Sequence, residues 1–347
     1  MPSGFGDGKE ENAVVDEWTT VEKPTRRCRP QRRRNRDRKI AGVNAGSHNK
    51  TRDASEFFEK AVAAQLHATV DAGDSVTEEQ IESALGICLR ELRESKYWET
   101  VRQVLRSRIE RQDRQFRSIV CYGIGNFGTK RPSAPLWQLA LAVLIREYVS
   151  TTAIDGARDN ESKTLASRSV TMHYFEPLMT IQESNVLQTL GVRIIEENER
   201  GKRSVNDDGD SSDNNYMTLF FMPHCPMSLY TNLFHTNWDY LREVIIFGNS
   251  LNNYIDGGNA NIVVDPQKQQ ALGILEVLQP FWDVDRLQIN KRDVSDTSAY
   301  FEQAFNDSSF TSFATTYKSS AATETDGWPK RPQLDSPNDY DGGGEVL

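Results

Sequence analysis

The strongest constraint in this sequence is a change of period at Phe116. The run Arg117-Ser118-Ile119-Val120-Cys121-Tyr122 is short and apolar, and it enters Gly123-Ile124-Gly125-Asn126-Phe127-Gly128. Ser133-Ala134-Pro135 then supplies a cap residue and an early-turn proline, and Leu136 to Val149 is apolar on nearly every side. A helix of that kind belongs against a sheet. The unit reads as a buried strand, a glycine loop and a covering helix.

The unit then repeats. A polar insert (residues 150 to 167) precedes strand-like Ser169 to Phe175, a short helix from Ile181 to Leu190, and strand-like Val192 to Ile195. Met217 to Met222 reads as a strand, Pro226 to Phe234 as a helix, and Val244 to Phe247 as a strand ending in Gly248-Asn249-Ser250. Ala271 to Leu278 reads as a helix and Ser309 to Phe313 as a late strand. Strands rich in Val, Ile and Phe alternating with helices predict an α/β, Rossmann-like fold, a mostly parallel sheet with helices on both faces and right-handed crossovers. A helical segment precedes it, from Ala54 to about Gln112, in two pieces separated at residues 71 to 75. The second piece opens with the capping box Thr77-Glu78-Glu79-Gln80 and carries one apolar stripe through Ile81, Leu85, Cys88, Leu92, Val101, Leu105 and Ile109.

Composition sets the ends apart from this body. Only 37% of the 347 residues are hydrophobic, low for one compact domain of this length, so part of the chain is expected to lack a core. Residues 23 to 39 carry ten positive charges and one negative, whereas residues 1 to 22 sum to −5, 319 to 347 to −4, and the body between to −9. Such an arm cannot bury apolar surface to offset its ordering entropy. Its arginines, Arg32, Arg33, Arg34, Arg36 and Arg38 among them, fit contact with an import receptor, which implies residence in both cytoplasm and nucleus. An acidic body argues against direct DNA binding. No apolar run approaches the roughly 20 residues of a membrane span, and the amino end has no apolar signal core. Four scattered cysteines (Cys28, Cys88, Cys121, Cys225) suggest neither a disulfide framework nor a zinc module. The expected organisation is a disordered Arg-rich arm (1–52), N-terminal helices (53–115), the Rossmann-like domain (116–316) and a disordered acidic tail (317–347).

In an open parallel sheet, ligands bind outside the carboxyl ends of the strands. Four segments end there: Gly123 to Gly128, Glu176-Pro177, Pro223-His224-Cys225 and Gly248-Asn249-Ser250. The candidate ligand-binding residues are therefore Gly123, Gly125, Asn126, Glu176, His224, Cys225, Gly248, Asn249 and Ser250. A GxGxxG loop lets a phosphate approach the backbone, although Thr129 to Pro132 separates Gly128 from the helix. Glu176 can accept a ribose hydroxyl. Imidazole beside thiol makes His224 and Cys225 the best nucleophile or metal pair, but adjacent residues of an extended strand end face opposite ways, which sends one of them into the core. His235 could approach the same edge. Two histidines and one cysteine do not close a structural zinc site, and no catalytic residue, metal or cofactor is assigned. GxSxG, HExxH and Walker sequences are absent.

Several segments together resemble the SRR-like family, named for plant mutants with reduced sensitivity to red light. They are Val120 to Phe127, Gln138-Leu139-Ala140, Tyr174 to Pro177, Phe220 to Cys225, Leu229 to Leu233 with Asn237-Trp238, Gly248 to Ser250, and Phe305-Asn306-Asp307. Glu17 to Val21 before the Arg-rich run looks like that family's amino end. Glu176 stands where the family usually has Asp, and the insert at 150 to 167 is longer than expected. The resemblance implies a regulatory role: light signalling and circadian clock function in plants, clock-gene expression and haem biosynthesis in animals, and a looser link to microtubule stability in yeast. It attaches no firm reaction.

Two functions of different class follow. One is a regulatory, ligand-sensing protein with protein partners and a small-molecule ligand. The other is an enzyme using a nucleotide or S-adenosylmethionine, such as a methyltransferase. Methyltransferase first strands commonly end in an acid before the glycine loop, where this chain has Cys121 and Tyr122. The basic arm and acidic tails favour the regulatory reading.

Overall fold

The computed structural model describes residues 76–112, 114–155, 170–206, 216–261, 266–289, 298–314 and 328–333. The Arg-rich arm, the helix expected between Ala54 and residue 70, and most of the 150–167 insert lie outside them. Strand β1 (Gln115–Tyr122) runs through the middle of one seven-stranded sheet. It pairs in parallel with β2 (Thr171–Phe175) on one side and with β4 (Tyr216–Met222) on the other. β3 (Arg193–Ile194) continues the parallel pairing beyond β2, and β5 (Val244–Asn249) does so beyond β4. β7 (Ser308–Phe313) then pairs antiparallel with β5, and β6 (Trp282–Arg286) antiparallel with β7. The order is β3-β2-β1-β4-β5-β7-β6, and among the described strands β7 alone runs against the rest.

Alternation along β1 sends Ile119 and Cys121 into one hydrophobic cluster and Val120 and Tyr122 into another, so both faces of the sheet are covered. Helices α1 (Glu78–Glu94), α2 (Lys96–Gln112), α3 (Ala134–Asp155), α4 (Ile181–Thr189) and α8 (Ser298–Phe305) belong to the first. Helices α5 (Met227–Thr236), α6 (Leu251–Asn261) and α7 (Pro266–Leu278) belong to the second. Every residue from Leu136 to Ile145 is buried, because α3 is enclosed by α1, α8 and the sheet. The capping box at Thr77 and Gln80 forms. The stripe that follows belongs to two helices: the Ser95 hydroxyl donates to Leu92 O (2.8 Å) and accepts from Trp98 N (3.1 Å), ending one and starting the next.

Three elements were not legible in the pattern. β6 alternates apolar Trp282 and Val284 with Asp283 and Asp285, which read as solvent-facing, α6 is rich in Asn and Gly, and α8 has only eight residues. The aspartates are matched from α2. Arg108, 1% exposed, donates to Asp285 Oδ2 (2.6 Å), to Asp283 O and Phe310 O (both 3.2 Å) and to the Ser312 hydroxyl, while Arg111 meets Asp283 Oδ2 at 2.9 Å. Burial lowers the Arg108 pKa, and the two aspartates oppose that shift.

Arg108 is buried but Asp285 is 37% exposed, so removing the guanidinium chiefly leaves the buried Phe310 carbonyl and Ser312 hydroxyl unpaired, at a typical cost of about 1–3 kcal/mol. Arg108→Ala is expected to fall in that range in urea unfolding. Arg106→Ala, which loses only an exposed pair with Glu110, should change stability by less than about 0.5 kcal/mol. Similar losses in the two variants would refute the assignment of Arg108 as the tie between α2 and the antiparallel edge.

Candidate functional site

Helices lie on opposite faces of the sheet on either side of β1 and β4. The chain leaving β1 goes to α3 on one face and the chain leaving β4 to α5 on the other, so residues 123–128 and 223–226 diverge at the carboxyl edge. This is the geometry of a topological switch point.

The glycine loop is fastened from within. Gly123 and Gly125 have φ of +63° and +87°, a region that side chains rarely adopt. Gly125 N donates to Glu176 Oε2 (2.9 Å), and Leu178 N to Glu176 Oε1 (3.3 Å). A second carboxylate does more. Glu183, fully buried, accepts from Phe127 N, Gly128 N (2.6 Å), Thr180 N (2.7 Å), the Thr180 hydroxyl (2.9 Å) and Asn126 Nδ2 (3.1 Å). Thr180 and Glu183 also form the capping box of α4. The T-x-x-E spacing was readable in the sequence, but the glutamate's reach to the glycine loop was not.

The loop after β4 separates His224 from Cys225. Cys225 is buried, its Sγ 3.5 Å from Tyr122 O, and burial pushes its thiol far above the usual range, which makes it a core residue and a poor nucleophile. His224 is exposed, in the left-handed region at φ +56°, with its N–H held by Asn249 Oδ1 (2.7 Å). Its Nε2 lies 3.1 Å from Ala304 O. A carbonyl only accepts, so Nε2 is the donor in this contact.

The remaining candidates buttress this loop. Asn249 Nδ2 donates to the Tyr254 hydroxyl, which donates to Cys225 O (both 2.6 Å). The Tyr230 hydroxyl donates to Met222 O and accepts from Asn249 N (3.0 Å). A Cβ on Gly248 would collide with that hydroxyl and lie 2.9 Å from Met222 O. Ser250 N donates to Asp307 O (3.2 Å), and its hydroxyl accepts from Arg286 (2.9 Å). Gln138 Nε2 meets the same Ala304 carbonyl as His224, at 3.0 Å.

Gly123, Gly125, Asn126 and Glu176 thus gather around one loop, and His224, Cys225, Gly248, Asn249 and Ser250 around the next, joined by the Tyr122–Cys225 contact. His235 does not reach this edge. It sits in the last turn of α5, beside Arg331 and the Pro332 carbonyl. Among the described residues there is no cluster of metal donors and no helix long and apolar enough to cross a membrane.

A family model described as the SRR1 domain matches residues 89–312, well over half the chain and all of the edge just described. The chain belongs to the SRR1 domain family. Over 133 residues it is 39% identical to the SRR1-like protein of Mus musculus, covering 38% of this chain and 43% of that protein. Over 169 residues it is 31% identical to Protein SENSITIVITY TO RED LIGHT REDUCED 1 of Arabidopsis thaliana, covering 48% and 49%. The chain spans less than half the length of these curated relatives in its matches.

Three predictions test the SRR1 domain's edge. Gly248→Ala should cost about 1–3 kcal/mol by displacing the Tyr230 hydroxyl from Met222 O. Gly125→Ala has room, its Cβ 3.6 Å from Pro135, and should lose about 1–2 kcal/mol from backbone strain alone; urea unfolding reads both. Burial raises the Glu176 carboxyl above its ordinary value near 4.5, and the Gly125 and Leu178 amides oppose the shift. The folded state therefore binds the proton more tightly than the unfolded chain. Stability conferred by this group should fall as pH rises from the ordinary to the raised value. The difference between wild type and Glu176→Gln should show that slope, and a difference flat in pH would contradict it.

Proposed function

We propose that this chain is a regulatory, ligand-sensing protein on a Rossmann-like scaffold, with a small organic ligand bound between the loops after β1 and β4. The observation that carries the reading is the divergence of those loops, with an exposed histidine held in a strained backbone beside it. The name of the Arabidopsis relative supports light signalling as the setting, with clock function and haem regulation the further settings that the family resemblance implies. We propose further that Arg32, Arg33, Arg34, Arg36 and Arg38 contact an import receptor, so that the protein occupies both cytoplasm and nucleus with regulatory protein partners.

The ligand's chemistry follows from the loop amides. Those of Gly123, Gly125, Phe127, Gly128 and Thr129 all donate to acceptors within the protein. A phosphate needs such donors, and it would also meet two buried carboxylates. Lys130 and Arg131 are exposed beyond the loop and offer the rival attraction. The committed amides favour a ligand without phosphate, one bearing hydroxyl donors or a positive charge.

A second reading, an enzyme using S-adenosylmethionine, is favoured by the strand order. The arrangement β3-β2-β1-β4-β5-β7-β6 with β7 alone reversed is that of many methyltransferases, a fold-level analogy, and a sulfonium cation suits a carboxylate-held loop. Cys121 and Tyr122 before the loop argue against it.

Thermal shift with S-adenosylmethionine, adenosine, haem, ADP and NAD tests both. A ligand at 100 times its Kd adds about 2.7 kcal/mol. Stabilisation by S-adenosylmethionine or adenosine, lost in Glu176→Gln, is expected, and stabilisation by haem alone, an anionic ligand without hydroxyls, would reject the ligand chemistry argued from the loop. Stabilisation by ADP and NAD alone would reject the phosphate-free ligand, and no shift with any of the five would reject the crevice. Conversion of bound S-adenosylmethionine to S-adenosylhomocysteine in cell extract would favour the enzyme.

A further inference from the structure

At the opposite edge of the sheet, residues 328–333 lie against the body. Trp238, which follows α5 and is 1% exposed, donates its indole Nε1 to Pro329 O (2.9 Å). Trp328 returns the exchange, its Nε1 donating to Trp238 O (3.2 Å). The Trp328 ring also packs on Phe281, with centroids 5.2 Å apart at 59°. Arg331 pairs with Asp239, and Pro332 lies beside His235. Lys330 and Gln333 are exposed.

We propose that the surface formed by His235, Trp238, Asp239 and Phe281 is a peptide-recognition site for the pattern Trp-Pro-x-Arg-Pro, and that its resident ligand is the chain's own tail, bound reversibly in cis. Each part of the pattern has a separate reader. Phe281 and the Trp238 backbone take the indole, the Trp238 indole takes the first proline's carbonyl, Asp239 takes the arginine, and the second proline sits beside His235. The intervening Lys330 touches solvent, so its identity is not read. Pro329 and Pro332 fix φ in the bound and unbound segment alike, which reduces the entropy lost on docking. Reciprocal main-chain and side-chain bonds of this kind are how extended proline-containing segments are held on aromatic surfaces. Attachment within one chain gives the tail an effective concentration in the millimolar range, so a contact of only modest affinity between separate molecules is held closed. A free peptide of the same pattern then competes poorly until the resident segment is weakened. This proposal is independent of the ligand reading at the carboxyl edge.

The test uses the full chain and a synthetic peptide of residues 326–334. Calorimetry should show the peptide binding to the Trp328→Ala protein at least tenfold more tightly than to wild type. The double variant Trp328→Ala, Asp239→Arg should lose that binding, and a peptide carrying Arg331→Asp should recover it on the double variant. Asp239 is largely exposed, so this substitution leaves the core untouched. No binding to Trp328→Ala, or equal binding to wild type and variant, would overturn the proposal. Dimers of the wild type that dissociate in Trp328→Ala would also overturn it, by showing that the tail docks on a second copy.

Discussion

A strand buried on both faces leaves no choice about where its covering helices go, and β1 is such a strand. Its side chains alternate between two apolar clusters, so helices must be supplied to both faces. The chain meets this by sending the connections from β1 and β2 to one face and those from β4 and β5 to the other. The divergence of the loops after β1 and β4 is a by-product of covering the core. The polar residues at the carboxyl edge are displayed there because the apolar ones in β1, β2, β4 and β5 cannot face water.

Within that frame the glycine loop behaves differently from the phosphate cradle its spacing suggests. Positive φ at Gly123 and Gly125 turns the backbone so that amides point inward, and Glu176 and Glu183 arrive to accept them. Desolvating a carboxylate is costly unless several donors satisfy it. Glu183 meets five, from two chain segments, and being itself in α4 it ties the β1 loop, the β2 loop and α4 together. The loop is thereby rigid before any ligand arrives, and its affinity for anions is spent internally.

The sequence announced the alternation of strands and helices because each parallel strand is a continuous apolar run of a length that few other structures tolerate. It announced the edge residues because glycine, proline and histidine clusters follow those runs directly. What it concealed were partners distant in the chain. The aspartates of β6 read as solvent-facing until Arg108 and Arg111 are brought to them from 172 to 177 residues away. Glu183 is not distinguished in the sequence, because a capping box is satisfied locally and gives no sign of further bonds. His235 was grouped with His224 on sequence distance, but a ten-residue helix rises about 15 Å and carries it to the other edge. The tail was assigned no structure on its Ser, Pro, Gly and Asp content, which holds no hint that Trp328 meets Trp238.

Ala314 N donates to Phe281 O at 2.8 Å, and Trp328 packs against the Phe281 ring. Ala314 and Trp328 therefore meet the same residue, and these two points of the chain are close together. Closure entropy grows only with the logarithm of length, so doubling the stretch between them costs roughly 0.6 kcal/mol. Insertions and deletions between these two points are nearly neutral for stability, whereas a change of one residue inside 328–332 shifts indole, carbonyls and guanidinium out of register at once. Homologues are expected to vary in length immediately before a tail motif whose internal spacing stays constant.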